Sequence, residues 1–270
     1  MTTRLETVAN RLRRHVLTMS HKAQAPHVAA ALSCVEILAT LYFRVARLDP
    51  KAPQAPDRDR IILSKGHAAA ALYACLAERG FFPVARLLEF AQAGSVLAEH
   101  PSYGTLPGIE ATSGSLGHGL GIGLGMAVAA RLDGRKNHVY VILSDGECNE
   151  GSTWEAALWA PAHELGNVTA IIDYNKLQAT GRSTELVALA PLPEKWRSFG
   201  WEAVEVDGHD PAQLVEAFEK SEGNRPKAVI AHTVKGKGVS FMENDLEWHY
   251  RPPSAEDLAQ ALDELEREGV

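Results

Sequence analysis

The strongest chemical signal in this sequence is a pair of oxygen-bearing turns. Asp145-Gly146 follows the apolar run 139–143, and Asn175 follows a second apolar run, 168–172. Short apolar runs that end at polar turn residues read as buried strands. Both side chains then stand just past strand carboxyl ends, where open parallel sheets bind their ligands. Asp145 offers a carboxylate oxygen, Asn175 an amide oxygen, and the next loop a backbone carbonyl at Leu177. Such hard oxygens, with phosphate oxygens and a water, complete the octahedron that Mg2+ prefers, and Ca2+ or Mn2+ accept the same donors. Gly146 lets a phosphate approach the backbone, and the helix that follows is expected to aim its first amides there. Asp-Gly is also an ordinary turn pair. On these residues alone, a capped strand end with an unrelated asparagine fits equally well.

The elements that must position this pair follow from the apolar pattern. Leu5, Val8, Leu12, Val16 and Met19 mark one face of a helix, and a second apolar helix is expected over 29–43. Pro50, Pro53 and Pro56 mark a loop, residues 61–63 a short strand, and 68–78 a helix stopped by Gly80. Residues 94–125 are glycine-rich. Their first part reads as loop, and their second as a helix pressed close against a neighbour, since glycine otherwise costs helix stability. A helix over 154–165, kinked at Pro161, joins the two central strands into a βαβ unit. Further strands are expected at 203–206 and 228–233, with Trp196 and Phe199 in the helix before the first. Ser254 and Asp257 form a capping box that opens a last helix carrying Leu258, Leu262 and Leu265. The alternation predicts an α/β fold: a doubly wound, mostly parallel sheet with helices on both faces, in one domain spanning 1–270.

Composition narrows the function classes. At 270 residues with 46% hydrophobic and 23% charged residues, the chain can bury a full core. Net charge is −7 and no long basic stretch occurs, which argues against nucleic-acid binding. The N-terminus is charged throughout, and no run of about 18 apolar residues exists, so neither a signal peptide nor a membrane span is expected. Cys34, Cys75 and Cys148 form no CxxC pair, which points to a reducing, cytoplasmic setting.

A longer set of motifs resembles the N-terminal section of transketolase. Ser144-Asp145-Gly146, with Asn175 thirty residues on, resembles the thiamine-diphosphate motif, Ser144 standing in for its first glycine. Ser64-Lys65-Gly66-His67 resembles that family's Ser-Lys-Gly-His segment, and His100-Pro101 with Pro107-Gly108-Ile109-Glu110 its His-Pro and Pro-Gly-Val-Glu segments. Thr112-Ser113-Gly114-Ser115-Leu116-Gly117-His118-Gly119 is similar to its glycine-rich loop, and His232–Val239 and Trp248-His249 to its final segment.

The resemblance implies thiamine diphosphate as cofactor, held through a divalent metal on Asp145, Asn175 and the Leu177 carbonyl. It places His67 and His249 on the diphosphate with Gly146 and Glu147, and Gly114, Ser115 and Leu116 on the aminopyrimidine. It implies that His27, His67, His100 and His249 handle substrate hydroxyls and protons. Glu150 would join an acidic network between neighbouring active sites, and Glu155 would face a dimer interface. The other histidines (His15, His21, His138, His163 and His209) read as surface or capping residues. Three segments depart from the family pattern: Ser-Gly-His-Pro-Gly-Gly-Ser around the first histidine reads Ala25-Pro26-His27-Val28-Ala29-Ala30-Ala31, the glutamine after Leu-Gly is His118, and the glycine after Trp-His is Tyr250. These changes are expected to stiffen the His27 loop and reshape the substrate pocket.

In this family the glutamate that activates the cofactor, the pyrimidine-binding domain and a C-terminal domain lie beyond the segment matched here. A separate C-terminal transketolase subunit is therefore expected as partner in an α2β2 assembly. Together the two would transfer a two-carbon ketol unit between sugars or sugar phosphates; alone, this chain would bind cofactor weakly and turn over nothing. A 2-oxo acid dehydrogenase α subunit, a deoxyxylulose-phosphate synthase relative and a non-catalytic scaffold are the rival readings.

Overall fold

A computed structural model describes residues 2–219 and 223–268. The chain runs α1 (Thr2–Ala23), α2 (Val28–Ser33), α3 (Val35–Thr40), β1 (Arg60–Leu63), α4 (Ala69–Arg79), α5 (Gly119–Leu132), β2 (Val139–Ser144), α6 (Gly151–Ala162) and β3 (Val168–Tyr174). It continues through α7 (Ser183–Leu186), α8 (Leu192–Ser198), β4 (Glu202–Asp207), α9 (Pro211–Glu219), β5 (Lys227–His232) and α10 (Ala255–Glu268). The five strands pair in parallel in the order β1-β2-β3-β5-β4. No helix among the described residues is long and apolar enough to cross a membrane.

Side-chain alternation along the strands sorts the core into two layers, as period-two geometry requires. Ile61, Leu63, Tyr140, Ile142, Ile171 and Val229 face a cluster built from α1 to α4, α9 and α10. Ile62, Val141, Leu143, Ala170, Ile172 and Ile230 face the other, built from α5, α6 and α8. Helices therefore cover both faces, which is the doubly wound arrangement the sequence pattern predicts. Within α5, a side chain at Gly123 would stand 2.5 Å from Val141, so here the glycine does permit close helix–sheet contact. Gly121 and Gly125 face open space, and packing within the chain does not account for them. The capping box at α10 is present, with the Ser254 amide donating to Asp257 at 2.9 Å and the Asp257 amide to Ser254 Oγ at 3.0 Å.

Two helices differ from expectation. The helix predicted over 29–43 is broken at Cys34 (φ −104°, ψ 15°) and finishes in a π-turn, Leu41–Val45. The cause is tertiary: Lys65 Nζ takes the Ala30 carbonyl at 2.9 Å, and Ser33 Oγ bonds Asp173 at 2.6 Å. The apolar pattern carries no trace of either demand. The helix after β2 begins at Gly151 and ends at Ala162, so Pro161 lies in its last turn and terminates it instead of kinking it.

Candidate active site

β2 and β3 are neighbours, with Ser144 in register with Asp173. Asp145 and Asn175 therefore emerge side by side at the carboxyl edge of the sheet. Both line one cleft of about 380 Å3. Between their strands and α2 lies a buried charge pair that does not line the cleft: Lys65 Nζ donates to Asp173, which also accepts from Ser33 at 2.6 Å and from Thr233. Both side chains of the pair are fully buried. Burial alone would lower the Lys65 pKa, but Asp173 holds it raised. The pair ties the ends of β1 and β3 to α2 and to the residue after β5. Removing one partner of so buried a pair costs about 3–5 kcal/mol.

The three expected oxygen donors, Asp145, Asn175 and Leu177, all line this cleft. Asp145 Oδ2 accepts from the Lys176 amide at 3.0 Å and from Ser183, and Asn175 Oδ1 accepts from the Leu177 amide at 3.1 Å. Burial raises the Asp145 pKa against the Ser183 hydrogen bond that lowers it. The Leu177 carbonyl accepts from Lys235 Nζ at 3.2 Å, and the Gln178 carbonyl from the same ammonium at 3.3 Å. Lys235 is buried, and burial together with Lys65 brings its pKa down to about 8.

Four imidazoles meet in the same cleft. His27 lies 5.4 Å from His67, 6.5 Å from His100 and 5.0 Å from His249, measured between ring centroids. The His27 backbone is left-handed (φ 67°), and its amide donates to the His249 carbonyl at 3.0 Å. A non-glycine residue in that conformation carries strain of about 1 kcal/mol or more, held in place by its surroundings. Burial, with the positive field of Lys235 and Lys65, brings His249 down to about 3. Burial and His100 bring His27 to about 4, and burial first of all lowers His67. All three rings are neutral at pH 7. Lys235 Nζ stands 2.7 Å from His249 Nδ1. An ammonium only donates, so Nδ1 accepts and Nε2 carries the ring proton.

Gly114, Leu116, Gly146 and Glu150 complete the cleft among the expected residues. Gly114 has φ 144°, and a side chain there would stand 2.9 Å from the His100 ring. Gly146 meets nothing closer than 3.7 Å, so the protein's own packing does not require it to be bare. Two expected residues do not line the cleft. Ser115 is exposed outside it. Glu147 is fully buried, its carboxylate accepting from Ser64, from the Gly117 amide at 2.9 Å and from the Ser144 amide at 2.9 Å. The 3-10 turn Gly146–Asn149 swings its side chain beneath the loop, where it braces the site. That turn also separates Gly146 from α6, although Glu150, the residue that caps α6, still lines the cleft. Tyr250, expected from the sequence to reshape the pocket, lines the cleft, and so do Lys235, Gln178 and Asn149, which the sequence pattern does not single out as site residues. Lys235 lies in the motif Lys235-Gly236-Lys237-Gly238, where nothing local separates a buried lysine from a solvated one.

A diphosphate held through a divalent cation fits these residues. The donor set is carboxylate, amide and carbonyl oxygen, a buried ammonium stands beside it, and Gly146 leaves the approach open. Two cleft residues also present buried nitrogens without partners, Gln178 Nε2 and His27 Nδ1.

Such a site on a doubly wound sheet defines a nucleotide- or diphosphate-binding α/β protein. The chain belongs to the transketolase family: residues 5–268 match the domain described as "Transketolase, thiamine diphosphate binding domain". It is 41% identical over 268 residues to the 6-deoxy-6-sulfo-D-fructose transketolase subunit of a Clostridium species, covering 98% of both chains. It is 43% identical to an apulose-4-phosphate transketolase subunit of Actinobacillus succinogenes, covering 98% of this chain and 96% of that one. The solved transketolase of Campylobacter jejuni superposes with a TM-score of 0.91 at 29% identity, over 97% of this chain and 42% of its own. The chain thus spans about two-fifths of that transketolase and nearly the whole of the two separate subunits.

Proposed function

We propose that this chain is the diphosphate-holding subunit of a two-chain transketolase, moving a two-carbon ketol unit from a ketose or ketose phosphate to an aldose. The observation that carries this reading is that Asp145, Asn175 and Leu177 line one cleft with four histidines. Asp145, Asn175 and Leu177 hold Mg2+ or a similar divalent cation, and the cation with Lys235 neutralises the diphosphate. Bound thiamine diphosphate supplies the nucleophilic carbon and the electron sink. The chain's own part is to bind, orient and move protons. His249 presents an Nε2 proton to a substrate oxygen, while neutral His27 and His67 accept or return protons from substrate hydroxyls. His100 and Glu150 complete the wall. Gly114 and Leu116 bear on the pyrimidine side.

A separate chain carries the activating glutamate, in an α2β2 assembly. The two near-full-length relatives, both named as transketolase subunits, support that division. Exposed Leu158 and Trp159, three and four residues after exposed Glu155 on α6, support an interface there. Three buried, unpaired cysteines support a reducing, cytoplasmic setting.

Calorimetric titration of thiamine diphosphate with Mg2+ into the two-chain complex tests the assignment. Asp145→Ala should weaken metal-dependent binding by more than the roughly 10–100-fold that even an outer partner of a metal ligand costs. Unchanged affinity would overturn it in favour of a non-catalytic scaffold.

A further inference from the structure

Tyr250 stands at the mouth of the cleft, on the histidine side. Its ring centroid lies 4.5 Å from that of His249 and 5.5 Å from that of His27, both in edge-on arrangements. The residue is nevertheless 63% exposed. Its position is well anchored. The 3-10 turn Glu247–His249 buries Trp248, and the Arg251 guanidinium lies over the Trp248 ring at 4.4 Å. The turn thus fastens residue 248 inward and presents residues 249 and 250 to the cleft. Ala30 and Ala179 line the same cleft and bring no polar group to it, while His27 Nδ1 is buried without a partner.

An anchored, exposed aromatic ring is a surface for packing. A sugar's carbon chain offers C–H groups to such a face and hydroxyls to a phenol tip, and tyrosine combines an apolar body with a polar end. We propose that Tyr250 is a specificity-determining residue, the wall against which the carbon chain of the transferred or accepting sugar packs. The inference rests on the ketol-transfer reading above. A wall of this kind binds ground state and transition state alike, so its loss is felt in KM more than in kcat. It also favours longer chains, because a two-carbon aldehyde has nothing to lay against it.

The test uses the assembled two-chain enzyme with Mg2+ and thiamine diphosphate. Steady-state kinetics compare glycolaldehyde with D-ribose 5-phosphate as acceptor. Tyr250→Gly should raise KM for the five-carbon acceptor about ten-fold, with kcat within about three-fold, and shrink its kcat/KM preference over glycolaldehyde about ten-fold. Tyr250→Phe should restore most of that preference. An unchanged ratio in Tyr250→Gly overturns the inference, as does a fall in kcat at constant KM. A Tyr250→Phe variant no better than Tyr250→Gly overturns the packing argument. Cofactor affinity, titrated in parallel, should stay within about two-fold; its loss would mean damage to the cofactor site and overturn the inference too. A wild-type complex that turns over no ketose–aldose pair removes the ketol-transfer reading and this inference with it, whereas turnover with an unchanged ratio removes this inference alone.

Discussion

Histidines serve this molecule in two ways, and the contrast lies in their partners. Outside the cleft each half-buried imidazole is claimed by a specific acceptor or donor. His15 bonds Glu78 at 2.8 Å, and His138 bonds Thr169 at 2.8 Å. His209 Nε2 accepts from the Val234 amide at 2.8 Å, which leaves Nδ1 to donate to Glu36 at 2.9 Å. Arg13 completes that buried cluster by pairing with Glu36. In the cleft the rings meet tilted or edge-on; His249 Nδ1 is tied to Lys235, and His27 Nδ1 is left without a partner. A polar group buried without a partner costs stability. At His27, which lines the cleft, a bound ligand can repay that cost.

The contrast is sharpest in a comparison of alanine variants. His67→Ala and His249→Ala should each lower kcat/KM of the assembled enzyme by about 10²–10⁴-fold, the range of a lost acid–base group. Their melting temperatures should barely move. A variant that melts early but turns over normally would place these rings in the scaffold instead. The Glu36 cluster gives the next effect. Burial opposes ionisation there, but Arg13 and His209 bring the Glu36 carboxyl from its ordinary 4.5 to about 2. Because the folded value is depressed, the unfolded chain takes up the proton first as pH falls. The stabilisation is whole above pH 4.5 and drains towards pH 2, by on the order of 3 kcal/mol. Urea unfolding across that range should show a steeper acid loss in the wild type than in Glu36→Gln; equal slopes would break the account. Smallest is His209→Ala, which unpairs Glu36 on one side and the Val234 amide on the other. It should cost about 1–2 kcal/mol in the same measurement, with kcat far less affected than in His67→Ala.

Much of the fold and the cleft is legible in the residues, and the gaps have physical causes. β2 and β3 are plain because each is an apolar run cut short by polar turn residues, and that same edge presents Asp145 and Asn175 to the cleft. The break at Cys34 is invisible because Lys65, more than thirty residues on, imposes it. Adjacency to Gly146 and Gly114 points to Glu147 and Ser115 as cleft residues, yet successive side chains in a tight turn point in different directions. Lys235 escapes notice for the opposite reason: its place between Val234 and Gly236 says nothing of burial, and only the folded chain brings it against His249 and Leu177.

The loops beneath the histidines approach one another very closely. A methyl group at Gly66 would sit 2.6 Å from the Gly114 nitrogen and 2.7 Å from the Ser113 carbonyl carbon, both backbone atoms that cannot step aside. With Lys65 and Asp173 locked below, this part of the protein has almost no freedom to drift without collapse. Adaptation to a different sugar must therefore be written around the edge, at positions such as Ala179 and Tyr250. A lineage can change its diet there while inheriting its grip on the vitamin intact.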